Sequence, residues 1–309
     1  MTYLSYFRAK QNELLALLEK SDLIAKKNIT PILEPVNLTY KPITKICKKL
    51  NENNCSFIII ANSTVGKCHI ESPEHVEHIK AIAKNSHKNK IGILIDSDKF
   101  EIKKLLDFIS VYKEFNLVAI HPKPSKKNKY FETTRDYPSI SKNFSEEIFL
   151  SEHQYITPSQ KNKTLMHNGF ISRNNSDYPE EEFFSDIHLR YQIENFSSFG
   201  DFSIVGEKYS EGGGPAYAVA IHITYISPED KSIRIIHAKS SSNDDAKNPE
   251  KKYDEARKEL IRIINSRKYD IFLTSGLKKI VDDDKYHGLG MLKRFSMEHH
   301  LELVGERII

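Results

Sequence analysis

At 309 residues, with 39% hydrophobic and 28% charged side chains, the chain suits a globular protein with a sizeable core, built as one large domain or two ordinary ones. Its 46 Lys and Arg against 42 Asp and Glu leave a formal charge of +4, too even for nucleic-acid binding driven by bulk electrostatics. Cys47, Cys55 and Cys68 show no C-x-x-C spacing, no apolar run approaches the roughly 20 residues of a membrane helix, and no secretion signal opens the chain, so the expectation is a cytoplasmic protein with no membrane association.

Tyr3, Tyr6, Phe7 and Arg8 form an aromatic opening ahead of a helix predicted over residues 9–20, where Leu14, Leu15, Leu17 and Leu18 give a wide apolar face. Residues 29–36 (ITPILEPV) read as a buried strand closed by Glu34-Pro35, because proline donates no ladder hydrogen bond. A helix follows over 43–51. The pattern then repeats: strand 57–61 (FIIIA), helix 73–84 behind Ser72 as N-cap, strand 91–96 (IGILID), helix 100–115 and strand 116–121 (NLVAIH). This alternation predicts a parallel α/β sheet.

After Pro122 the spacing is less regular. Strands are predicted at 146–152 and 163–168, a short helix around 180–186, and further strands at 202–207 and 217–226. Eight apolar strands predict a degenerate (β/α)8 TIM-like barrel, although an open doubly wound sheet would read the same over the first four units. The expected layout is a single domain, with the barrel over about residues 1–230 and a C-terminal helix and strand extension over about 231–309 packed on it. That extension holds an antiparallel strand at 232–237, a helix at 249–266 capped by Asn248, a strand-like run at 270–274 and an amphipathic segment at 290–299.

In a parallel barrel the site forms at the C-terminal ends of the strands. Those ends are Glu34, Asn62, Asp96, His121, Glu152, Asn168 and Glu207. Glu34, Asp96 and Glu152 are the candidate catalytic carboxylates, able to serve as acid and base across a bound substrate. Glu34 leads because Pro35 stiffens its strand end; Asp96, beside Asp98, also reads as a helix-capping residue. The plainer alternative for each is a polar residue where the chain returns to water. Asn168, Glu207, His222 and Arg173 are candidate ligand-binding residues, Arg173 as a bidentate contact to an anion. Gly212, Gly213 and Gly214, the one glycine cluster, read as a hairpin turn or as a phosphate cradle, without the spacing of a Walker loop or dinucleotide fingerprint. His222 can meet His237 across a hairpin, while His222 and Tyr225 must face opposite ways. His299-His300 either return to a site or end a helix. No zinc-binding spacing is present, no metal site is expected and no cofactor is identified.

The opening YFRAKQNELLAL followed by ITPILEPV resembles the start of the bacteriophage beta-protein-like family. FGDFSIVGEKYSEGGGPAYAVAIHITYI and HGLGMLKRFSMEHHLEL are similar to later parts of a bacterial branch of that family. The family supplies no established catalytic residues. Its resemblance implies a context of phage–host conflict. The leading expectation is therefore a recognition component of a phage-defence system, binding a protein encoded in the same locus through the aromatic N-terminus and the C-terminal helices. The alternative is a barrel enzyme that processes a small phosphorylated or nucleotide-like ligand, with the strand-end carboxylates as its chemistry and Arg173 and the glycine turn as its anion holders.

Overall fold

The structure, a computed structural model, describes residues 2–37, 39–96, 98–122, 142–150, 162–211 and 216–309. A closed, all-parallel barrel is formed by β1 (Tyr3–Phe7), β2 (Ile29–Leu33), β3 (Ile58–Ile60), β4 (Lys90–Leu94), β5 (Leu117–His121), β6 (Phe144–Phe149), β7 (Asn162–His167) and β9 (Ser198–Asp201), which returns to β1. The period-two alternation of each strand sorts two apolar layers. Leu4, Tyr6, Ile32, Ile60, Leu94, Ile120, Ile148 and Met166 fill the interior. Tyr3, Phe7, Ile29, Leu33, Ile59, Ile91, Leu117, Phe149 and Phe199 belong to the larger core outside it. Both faces are covered, which is why the strands read as continuous apolar runs. Two backbone details permit closure. Pro31 sits inside β2, and pairing with β3 begins only at Ile32, past the missing N–H. Gly200 lies against β1, where a Cβ would come within 2.3 Å of the Leu4 carbonyl oxygen.

Around the barrel lie α1 (Gln11–Glu19), α2 (Ser21–Lys26), α3 (Lys41–Glu52), α4 (Pro73–Lys84), α5 (Ile102–Val111) and the short α6 (Ile187–Arg190). Ser72 caps α4 as expected, accepting the His75 N–H at 3.2 Å. The same helix buries His75 against Tyr40, whose hydroxyl lies 2.5 Å from its Nδ1.

The membership of the barrel differs from the sequence reading in three places. The aromatic opening is itself β1, paired with β2 on one side and β9 on the other. Residues 202–207 form no strand; the closing strand is Ser198–Asp201. The run at 217–226 supplies β10 (Ala220–Ile226), which lies outside the barrel in a three-stranded sheet with β11 (Ile233–Lys239) and β8 (Glu181–Ser185). That last strand corrects the helix expected around 180–186, since Glu181 and Glu182 are spread along a ladder that pairs them with β11. Residues 270–274 form no strand.

α7 (Pro249–Ser266) covers one face of this sheet, placing Tyr253, Ala256, Leu260 and Ile263 in a core with Ile221, Ile223, Tyr225 and Ile236. α8 (Ser275–Val281) and α9 (Leu289–Arg307) complete the chain, and α9 contacts α1, α8 and β10. Ten of the 19 residues of α9 are buried, among them the continuous run Ser296–Leu301, so it lacks the polar stripe of a surface helix. A polar seam fastens it. The Tyr3 hydroxyl donates to Asp201 Oδ1 (2.6 Å), and His300 Nε2 donates to Asp201 Oδ2 (3.0 Å). His300 Nδ1 meets the Thr224 hydroxyl (3.0 Å). His299 Nε2 donates to the Thr224 carbonyl (2.7 Å), and its Nδ1 takes the Thr274 hydroxyl (2.8 Å). The histidine pair thus sits mid-helix and buried, tying helix to sheet and barrel. Tyr3, Tyr6, Phe7 and most of α9 are enclosed, which withdraws them from the partner surface expected there.

Candidate functional site at the barrel mouth

The Glu34 N–H donates to the Phe7 carbonyl at 2.8 Å, so the β1–β2 ladder continues one residue past β2. Arg8 and Glu34 therefore emerge side by side at the C-terminal mouth, where they form an ion pair. Glu34 is 1% exposed and also accepts the Tyr6 hydroxyl (2.7 Å) and the Ser63 hydroxyl (2.8 Å). Arg8, 8% exposed, donates in addition to the Tyr6 oxygen (3.1 Å) and to the Glu207 carbonyl. Its Nε–H is buried and has no acceptor among the described residues. An unmet buried donor of this kind costs about 1–3 kcal/mol, more when charged.

Arg8 forms part of the wall of a cavity of about 370 Å³ that Lys10, Glu13, Phe170, Lys208, Tyr209 and Lys293 also line. Three lysines and Arg8, itself already paired with Glu34, thus share this cavity with Glu13. The Lys10 ammonium lies 4.8 Å from the centre of the Tyr209 ring and donates to the Ser210 carbonyl. Glu13 is 4% exposed, and its Oε2 accepts the Arg8 backbone N–H at 2.6 Å. Burial pushes its carboxyl pKa up, against the opposing pull of Lys293, the Arg8 N–H and Lys10. None of these lining residues was singled out as a ligand contact from the sequence. Recognising YLSYF as a strand would have placed Arg8 at its end; Lys293 carries no local signal, since α9 brings it from the far end of the chain.

The expected site residues fall into separate groups. Glu34 and Glu207 meet around Arg8. Burial raises the Glu207 carboxyl pKa, with Arg8 opposing, and its N–H donates to Asn168 Oδ1 (3.1 Å). Asp96 lies two strands from Glu34, its Oδ1 accepting the Asp98 N–H (3.0 Å) and its carbonyl the Phe100 N–H (2.9 Å), a turn leading towards α5. Asn62 extends the β3–β4 ladder with its amide, donating to the Leu94 carbonyl (2.9 Å) and accepting the Leu94 N–H (2.7 Å). His121 stacks on Phe149 outside the barrel interior, and burial lowers its pKa to about 3. Arg173 holds Glu182 through both carboxylate oxygens (2.5 and 2.8 Å), so its fork is engaged within the protein. Glu182 also accepts from His237 Nε2 (3.1 Å), and His237 Nδ1 lies 2.7 Å from His222 Nδ1. His222 and His237 are direct cross-strand partners, and His222 faces away from Tyr225, which packs with α7. Desolvation and the neighbouring His237 hold His222 well below the usual imidazole range. Glu152, Gly212, Gly213 and Gly214 lie outside the described residues.

A second cavity, of about 420 Å³, opens between α1 and α3 and is lined largely by apolar side chains including Leu15, Leu18, Val36, Ile43 and Ile46. Among the described residues no cluster of three or more His, Cys, Asp or Glu is placed to hold a metal ion, and no helix is long and apolar enough to cross a membrane. No family model matches the chain, and no curated protein matches it.

Proposed function

We propose that the protein binds a small anionic, phosphorylated ligand at the C-terminal mouth of the barrel. The observation that carries this reading is Arg8. It is a buried guanidinium fixed by Glu34 and the Glu207 carbonyl, with one N–H unmet, in a cavity wall shared with three lysines. Binding is favoured over bond-breaking because Glu34 already accepts from two hydroxyls and a guanidinium. Isothermal titration of the full chain with inorganic phosphate and with ethyl phosphate tests the reading. Binding should weaken roughly tenfold or more in a Lys10→Gln, Lys293→Gln double variant and with rising salt. No binding of either anion by the wild type would overturn it.

The wider role we propose is recognition within phage–host conflict, alongside a protein from the same locus. The resemblance to the bacteriophage beta-protein-like family supports that setting. Plaque counts on cells carrying the complete locus test it: protection should fall with Lys10→Gln, Lys293→Gln if the mouth takes part. Equal plaque counts with and without the gene would remove the defence role.

A further inference from the structure

The cavity wall holds two groups of opposite polarity, one a sealed donor without an acceptor and one a carboxylate with an oxygen that no donor takes among the described residues. One is the Arg8 Nε–H, a donor. The other is Glu13, whose Oε2 takes the Arg8 backbone N–H while no donor among the described residues meets Oε1. The nearby ammonium groups leave that oxygen open. Lys10 is turned to the Ser210 carbonyl and the Tyr209 ring. Lys293 acts on Glu13 through its charge, and no ion pair joins them among the described residues. A simple anion would meet the lysines and Arg8 but would be repelled by Glu13. An anion that also carries an N–H donor would meet both groups at once, through charge-assisted hydrogen bonds.

We propose that Glu13 selects the occupant of the barrel mouth, and that this occupant is a phosphorylated amine. Its anionic group lies on Lys10, Lys293 and the Arg8 Nε–H, and its amine donates to Glu13 Oε1. The assignment rests on the anion-binding reading of the same cavity and adds the second half of the ligand. Lining by Phe170 and Tyr209, and a volume of about 370 Å³, leave room for further ligand atoms beyond the two charged groups.

The test compares two probes of similar size, O-phosphoethanolamine and ethyl phosphate, by isothermal titration of the full chain. The wild type should bind the amine-bearing probe roughly tenfold or more tightly. Glu13→Gln keeps an acceptor for the Arg8 N–H and should bind both probes alike. Glu13→Asp, one methylene shorter, should lose most of the preference too. Thermal melts of both variants confirm that the fold persists. Equal affinity of the wild type for the two probes would overturn the role of Glu13 and leave the anion reading intact. A preference that survives Glu13→Gln would overturn it likewise. Binding of neither probe would remove both.

Discussion

Glu34 shows how far a single residue's position can be legible while its use is not. An apolar run ending in Glu34-Pro35 marks a strand end, and the carboxylate does stand at the barrel mouth. Its partner, Arg8, comes from the neighbouring strand, and no local pattern links the two. The pair is buried, so removing one member strands the other. Glu34→Gln should lower stability by about 3–5 kcal/mol, read as a shift in the urea midpoint. Adding Arg8→Gln to that variant should recover part of the loss, because the uncompensated guanidinium is then gone. A midpoint unmoved by Glu34→Gln would show that the pair is solvated. Arg173 makes the converse point. Its loop looked suited to an external anion, yet Glu182, brought to it on β8, takes both arms of its guanidinium.

At the scale of elements, helices were more legible than strand partnerships. The helix over 249–266 and that over 73–84 keep their predicted bounds, because proline marks both starts and apolar residues recur at helical spacing; Ser72 caps the earlier helix, whereas Asn248, expected to cap the later one, makes no side-chain cap hydrogen bond. The strand YLSYF was hidden because five residues buried on both faces show no polar and apolar alternation, and its aromatic content reads equally as a loose opening. β1 is paired on both sides, so a proline there has no free edge to occupy. Ser5→Pro should cost about 3 kcal/mol or more and sharply reduce soluble yield, checked by circular dichroism melts. A conservative Ser5→Ala should melt close to the wild type. If Ser5→Pro were tolerated equally, β1 would not be an integral barrel strand.

For the whole molecule, the buried histidines connect the barrel, the second sheet and α9 to pH. Burial lowers His299 to about 4, and His237 likewise to about 4, with Glu182 opposing. In the unfolded chain both return towards about 6.5. Between those values the unfolded state binds protons that the native state refuses, so stability falls as pH drops below about 6.5 and levels off near 4. At pH 5 the loss should be about 2 kcal/mol for each of the two, seen by comparing urea midpoints at pH 7.5 and pH 5. Equal midpoints would mean that the two rings can take up protons without leaving their places. By itself, the sequence determined the class of this protein: repeated apolar runs, spaced by amphipathic helices, bury both strand faces in a covered parallel sheet, while the count of eight rested partly on two runs, 202–207 and 217–226, that the barrel does not use. Tertiary structure alone decided which runs close it, because period-two alternation specifies burial and not a partner. It also decided the candidate site, since Arg8, Glu13 and Lys293 come together only when the first strand closes the barrel and the last helix packs beside it.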